Sequence, residues 1–233
     1  MKNFPFASVL GCLIFSACHL TDTAAVAQDT DAKSAWPIYI NVFGGFSHLD
    51  RLNTVNSPNG IDMFDISLDT NDGFLWGGAV GVNVSDAIRV EIEASHAGWD
   101  AKHLYISFPG VFKVDDAATG KMNATYLLVN TWVDWNNESP FTPYAGGGLG
   151  IGWANGNTLW FSDQGYDDGE IGFAFQLGAG LKYDISDYVS FDLGYRFKGI
   201  ADIDFQNTNP ATAPFEGGDL YSNNVQLGLT YRF

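Results

Sequence analysis

The stretch that decides the fold is Leu-Tyr-Ser-Asn-Asn-Val-Gln-Leu-Gly-Leu-Thr-Tyr-Arg-Phe, residues 220–233. From residue 224 onward, the period of two that a β-strand imposes gives one apolar face and one face of polar or very small residues. The apolar face consists of Val225, Leu227, Leu229, Tyr231 and Phe233. The stretch stops on an aromatic residue, whereas soluble domains usually end in frayed, polar residues. This pattern predicts a strand that closes a structure against an apolar medium.

Three stretches carry a resemblance to a known family. The ending Gly-Leu-Thr-Tyr-Arg-Phe resembles the C-terminal signal of bacterial outer-membrane β-barrels. Arg-Val-Glu-Ile-Glu at 89–93 and Pro-Tyr-Ala-Gly-Gly-Gly-Leu-Gly at 143–150 resemble the small OmpA-like, porin-type surface barrels of Gram-negative bacteria. The resemblance covers residues 36–233. It implies that Leu229, Tyr231 and Phe233 belong to a signal read by the barrel-assembly machinery, and we expect no peptidoglycan-binding domain after Phe233.

The first residues predict a secretory signal peptide over residues 1–27. Lys2 gives a positive start, an apolar run follows over residues 6–18, and the small residues before Ala27 and Gln28 fit a cleavage site. The rival interpretation is a lipoprotein with Cys18 lipidated. Residues 28–35 are polar and are predicted to be disordered, and residues 36–233 to form the barrel domain.

Composition narrows the class of protein. Charged residues make up only 16% of the chain and aromatic residues 15%, and there are 27 glycines, which suits a lipid-facing barrel with aromatic girdles. A net charge of −16 argues against nucleic acid as a partner, because its phosphates would be repelled. After residue 27 no apolar stretch is long enough for a spanning helix, so a membrane protein of this sequence must be a closed barrel.

Alternation predicts eight strands in an antiparallel, up-and-down transmembrane β-barrel. The strands fall near residues 37–47, 74–84, 88–95, 122–135, 145–153, 171–183, 189–198 and 220–233. Long connections are expected over 49–71, 96–120, 155–169 and 199–219, and short turns between the other neighbours. Alternating long and short connections are typical of outer-membrane barrels, with the long loops outside the cell.

Parity places a set of charged residues of both signs inside the barrel. The set comprises Arg89, Glu91, Glu93, Asp134, Lys182, Asp192, Arg196 and Lys198. An eight-stranded barrel is just wide enough to be filled by its own side chains, so we expect these residues to pair as a plug. The alternative is a selectivity lining for a narrow pore for ions or small solutes.

Support for catalysis is thin. Ser47-His48 and Ser95-His96 lie near strand ends, but parity puts each serine inside and each histidine outside, where they cannot share a hydrogen bond. No metal or cofactor motif is present, so we expect no cofactor. The first, third and fourth long connections are acidic and carry aromatic residues, which favours binding of a host or environmental surface ligand. We therefore predict a structural or adhesive barrel, with a narrow channel and then a lipid-acting enzyme as alternatives.

Overall fold

The protein is built entirely of antiparallel strands in the part of the chain that the computed structural model describes, residues 38–56, 64–108, 112–160, 164–205 and 215–233. No helix there is long and apolar enough to cross a membrane. The strands are β1 (Ile38–Leu49), β2 (Leu52–Asn56), β3 (Phe64–Thr70), β4 (Gly73–Ser85), β5 (Ile88–Phe108), β6 (Phe112–Ala117), β7 (Thr119–Asp134), β8 (Phe141–Trp160), β9 (Gln164–Asp184), β10 (Val189–Phe205) and β11 (Phe215–Arg232).

Eight of these strands close into a ring. The order around the ring is β1–β4–β5–β7–β8–β9–β10–β11, and β11 then pairs with β1. The closing ladder runs from Tyr39 opposite Arg232 to Leu49 opposite Ser222. Because the first and last strands pair, the seam presents no open edge. The predicted eight-stranded antiparallel barrel is confirmed.

The predicted long connections are wrong in their extent, because the wall of the barrel continues through most of them. We call the end of the barrel away from the short turns the upper end. The hairpin of β2 and β3 stands above β1 and β4, and β3 pairs with the upper part of β5. On its other side, that part of β5 pairs with β6. The hairpin of β8 and β9 stays in register from Phe141 opposite Tyr183 up to Trp160 opposite Gln164.

An inversion of polarity explains why alternation missed these upper strands. In the lower wall the outward side chains are apolar, as at Leu193, and the inward ones are polar. In the upper wall the inward side chains are apolar, as at Leu68 and Leu104, whereas Ser67 and Asp69 point outward. The upper outer face meets water rather than lipid, so it carries polar residues that resemble those of a loop in sequence.

One glycine marks the junction between β6 and β7. Gly120 has φ of 125°, a left-handed conformation that side chains with a Cβ rarely adopt. It lies at the start of β7, where the upper strand β6 passes into the continuous strand of the ring. Glycine is therefore required at this position by the backbone.

The outward band of the lower wall should tolerate charge poorly. Leu193 is 54% exposed on the outer face, midway along the lower part of β10. We expect Leu193→Arg to lower the free energy of unfolding by roughly 2–4 kcal/mol in a bilayer, because the cation would sit in hydrocarbon. Urea unfolding of the protein refolded into lipid vesicles measures this change.

Asn157→Arg is the matched control, since Asn157 is exposed on the upper part of β8. There the free energy of unfolding should change by no more than about 0.5 kcal/mol. Equal losses in both variants would contradict the assignment of the apolar band to lipid.

Candidate functional site

The lower interior holds a group of three charges near the short turns. Arg89 donates two hydrogen bonds of 2.9 Å to the carboxylate of Asp134, one from Nε to Oδ2 and one from Nη2 to Oδ1. Lys182 Nζ donates to Oδ2 of the same carboxylate at 3.2 Å. A second pair, Arg232 with Asp184, closes the interior beside Ser190, whose hydroxyl accepts a 2.9 Å bond from Arg232. Bidentate arginine–carboxylate pairs are geometrically specific, so this layer is rigid.

A fully buried ion pair lies at mid-height. Lys198 is 0% exposed and donates to Glu93, which is 3% exposed, and also to Ser95 Oγ at 3.1 Å. The other oxygen of Glu93 accepts from Gln176 at 2.7 Å and from Asn130 at 2.9 Å. Every lone pair that faces the protein is thereby used, which is the condition under which a buried ion pair is tolerated.

Neutral groups connect the remaining three charges. Arg196 lies 4.2 Å from the ring centre of Trp132 and donates to the hydroxyl of Tyr144 at 2.9 Å. That hydroxyl donates in turn to Asp192 at 2.8 Å. Within the part of the chain that the structure describes, Arg196 forms no direct ion pair.

Glu91 is also held by neutral donors. Its carboxylate accepts from Tyr39 at 2.8 Å, from Trp132 at 2.8 Å and from Asn130 at 3.1 Å. Residues Tyr39, Trp132 and Tyr144 were not singled out from the sequence, although their parity places them inside. The sequence signal that could have indicated them is an aromatic residue at an inward position of one strand, with glycine at an inward position of the neighbouring strand.

Glycines on neighbouring strands make room for these large interior groups. A Cβ at Gly146 would meet the ring of Trp132 at 2.8 Å, and one at Gly178 would overlap the side chain of Arg196. The bulk of their neighbours thus explains why glycine occupies these inward positions. These glycines are needed for close packing rather than for backbone freedom.

The upper interior is apolar and closed. Side chains from all around the wall form one buried cluster here, and its larger members are Leu52, Leu68, Leu75, Trp99, Leu104, Met122, Tyr126 and Ile200. Trp99 Nε1 is satisfied by Ser47 Oγ at 3.1 Å. Below this cluster, the polar layer encloses a cavity of about 20 Å³, roughly the space that one water molecule needs. The polar interior is therefore limited to the lower half of the barrel.

The serine and histidine pairs lie on opposite faces of the wall. Ser47 and Ser95 are buried inside, whereas His48 binds Asp72 at 2.7 Å and His96 binds Thr125 at 2.9 Å on the outer face. Among the described residues, no group of three or more histidine, cysteine or acidic side chains could hold a metal ion.

The outer face of the upper wall carries a concave site of about 310 Å³. It is lined by Arg51, Tyr105, Ile106, Ser107, Lys113 and Asp115. Arg51 stacks on the Tyr105 ring at 4.7 Å and donates to both oxygens of Asp69, at 2.6 and 2.9 Å. These hydrogen bonds raise the pKa of the guanidinium above its ordinary value. We refer to this site as the wall pocket.

The predicted terminal signal lies on the outer face at the periplasmic end. Leu229 and Tyr231 point outward, the ring of Phe233 packs edge-on against Tyr231 at 5.1 Å, and the Phe233 amide donates to the Ile38 carbonyl. The predicted cleavage site at Ala27 and Gln28, and Cys18, lie outside the described residues.

The buried pair of Lys198 and Glu93 should dominate the stability of the interior. We expect Lys198→Met to lower the free energy of unfolding by about 3–5 kcal/mol, because it leaves a buried carboxylate uncompensated. Adding Glu93→Gln should restore much of that loss. Lys102→Met, on the exposed outer face of the same wall, should change it by no more than about 0.5 kcal/mol. A Lys198→Met effect as small as that of Lys102→Met in urea unfolding would contradict the description of this pair.

Comparison with known proteins identifies the family. The family model for the outer membrane protein beta-barrel domain matches residues 15–233. Outer membrane protein PagN of Salmonella typhimurium is 26% identical over 253 residues, covering 100% of both chains. An uncharacterised protein of Brucella abortus is 29% identical over 146 residues, covering 54% of this chain and 51% of its own.

Solved structures share the fold. Outer membrane protein OprG from Pseudomonas aeruginosa superposes with a TM-score of 0.56 at 12% identity, covering 84% of this chain and 96% of its own. Outer membrane protease OmpT from Escherichia coli superposes with a TM-score of 0.56 at 9% identity, covering 84% of this chain and 97% of its own. With the closed ring, the apolar outer band and the family match together, the chain belongs to the outer membrane protein beta-barrel domain family and is a protein of the bacterial outer membrane.

Proposed function

We propose that this protein is a sealed surface barrel that binds external partners through its upper wall, in a structural or adhesive role. The observation that carries this proposal is the double closure of the interior. A hydrogen-bonded charge layer fills the lower half, and a buried apolar cluster fills the upper half. A barrel closed in this way is a rigid support, and its accessible chemistry lies on its outside.

The closure argues against the channel alternative. Ions cross narrow pores past carbonyl or charged groups that replace their hydration, and apolar constrictions close pores by excluding water. The apolar cluster around Trp99, Leu104 and Met122 offers no such groups, and these side chains are at most 2% exposed. The interior charges are engaged with one another or with neutral hydrogen-bonding groups, so they act as a plug rather than a selectivity lining.

The face geometry argues against the lipid-acting enzyme. A serine nucleophile needs a base within hydrogen-bonding distance, about 2.6–3.2 Å. Ser95 instead donates to Glu93 at 2.7 Å inside the barrel, while His96 contacts Thr125 on the outer face. The same separation holds for Ser47 and His48. Neither pair can activate a nucleophile without refolding the strand.

Conductance tests the sealed barrel directly. We expect the refolded protein to give no current steps in planar lipid bilayers at any voltage that the bilayer withstands. The Glu93→Gln/Lys198→Met double variant should also be silent, because the upper apolar cluster remains closed when the lower layer is changed. Current steps in either protein, absent in protein-free bilayers, would overturn the proposal in favour of a channel.

The terminal residue provides the second test, which concerns the assembly machinery. Burial of one aromatic ring is worth only about 1.5–3 kcal/mol, too little to unfold a closed barrel. We therefore expect deletion of Phe233 to lower insertion into the outer membrane of cells far more than it lowers refolding into detergent. Heat-modifiability on gels measures the folded fraction in both settings. Equal losses would mean that Phe233 acts through stability alone.

A further inference from the structure

Positive charge at the extracellular end is confined to one side of the barrel. The segments 48–72, 98–121, 155–170 and 201–219 contain sixteen acidic and four basic residues. The four basic residues are Arg51, Lys102, Lys113 and Lys121. All of them belong to β5–β7 or to the turn before β2, whereas the two segments that join β8 to β9 and β10 to β11 contain eight acids and no base. The side of β2, β5, β6 and β7 carries eight acids and four bases, so an anionic group meets less repulsion there than on the opposite side, and it can find a cation only there.

The wall pocket lies on this side. Strand register places Ser67 opposite Tyr105 and Tyr105 opposite Asp115, and in the next row Ser107 opposite Lys113. Its volume of about 310 Å³ is at the lower end of the range for ligand pockets, about 300–1,000 Å³. It therefore fits a ligand of the size of one sugar ring.

One cation of the pocket is held in place before any ligand binds, and the other is left open. The two hydrogen bonds to Asp69 and the stacking on Tyr105 fix the guanidinium of Arg51. His103 lies 3.3 Å from Asp115. Lys113 is exposed and forms no ion pair with any described residue, so its three donors are open to a ligand.

The height of the pocket decides where a ligand can come from. Trp76 and His96 pack at 5.9 Å on the outer face, where aromatic side chains mark the level of the lipid headgroups. Tyr105 lies nine residues further along β5, which for a tilted strand is roughly 20 Å above that level. Phosphates at the headgroup level are therefore out of reach of the pocket, which is open to groups presented above the membrane.

We propose that the wall pocket binds a terminal sugar that carries a single carboxylate. Lys113 and Arg51 recognise the carboxylate, Ser107 and Asp115 bind hydroxyl groups, and the half-buried Tyr105 contacts the apolar face of the ring. A long polyanion is disfavoured, because the surrounding segments carry an excess of twelve negative charges. This inference rests on the proposed surface-binding function and assigns it a place and a class of ligand.

A calorimetric titration of the refolded full-length protein with N-acetylneuraminic acid tests the assignment. We expect saturable binding that weakens at higher salt, because it depends on the carboxylate. The methyl ester of the same sugar, which keeps the ring and lacks the charge, should bind at least about tenfold more weakly, equivalent to about 1.4 kcal/mol. Equal binding of acid and ester would overturn the assignment.

Variants separate the pocket from general surface charge. Lys113→Met should weaken binding of the acid at least about tenfold, whereas Lys102→Met removes the same charge outside the pocket lining and should leave it within about twofold. Both variants should keep the heat-modifiability of the parent on gels. Equal effects of the two variants would overturn the assignment, as would binding of tetraglutamate as tight as that of the sugar.

The result can be told apart from failure of the proposed function. If the protein binds neither the sugar nor its ester and gives no conductance, this inference is wrong and the sealed-barrel function stands. A protein that conducts loses the proposed function whatever it binds.

Discussion

Hydrogen bonding of the backbone inside a hydrocarbon layer is the constraint on which the rest of the structure depends. Water cannot satisfy peptide groups there, so each strand must have a neighbour on both sides, and β11 must return to β1. Once the ring is closed at eight strands, its interior is too narrow for much besides side chains. The contents of the interior must then balance among themselves. Five basic residues face five acidic ones: Arg89, Lys182, Arg196, Lys198 and Arg232 with Glu91, Glu93, Asp134, Asp184 and Asp192.

The same wall faces two different solvents along its height. Below the aromatic level it separates lipid from a polar interior, and above that level it separates water from an apolar interior. A single continuous strand, such as β5 with its 21 residues, runs through both parts. The upper part is therefore packed like a water-soluble barrel, with Trp99 and Leu104 in its core. This packing holds Tyr105 and Ser107 on a rigid surface well above the membrane.

The sequence allowed the lower barrel to be predicted almost strand by strand, because lipid forces apolar residues onto every second position. The parity of Leu193 and Arg196 follows from that rule alone. The upper strands could not be found in this way: around Ser67 and Asp69 the outer face is polar, and the apolar period is carried by the inner face instead. The wall pocket was beyond prediction for another reason. Arg51, Tyr105 and Lys113 come from three segments whose register is set by β3 and β6, and those strands had been assigned to loops.

Neutrality of the interior has a consequence for the surface. Residues 36–233 carry 24 acidic and nine basic side chains, and the five acidic and five basic residues inside contribute nothing to the excess. The net negative charge is therefore carried outside the interior. Most of it lies at the extracellular end, and the rest lies in the periplasmic turns. A surface of this sign repels anions in general, so an anionic ligand can bind only where cations are concentrated and held in position. Arg51 is held by Asp69 and Tyr105, and Lys113 stands across the pocket from it. The overall negative charge thereby sharpens the discrimination of the pocket, because it favours a ligand with one charge in the right place over one with many.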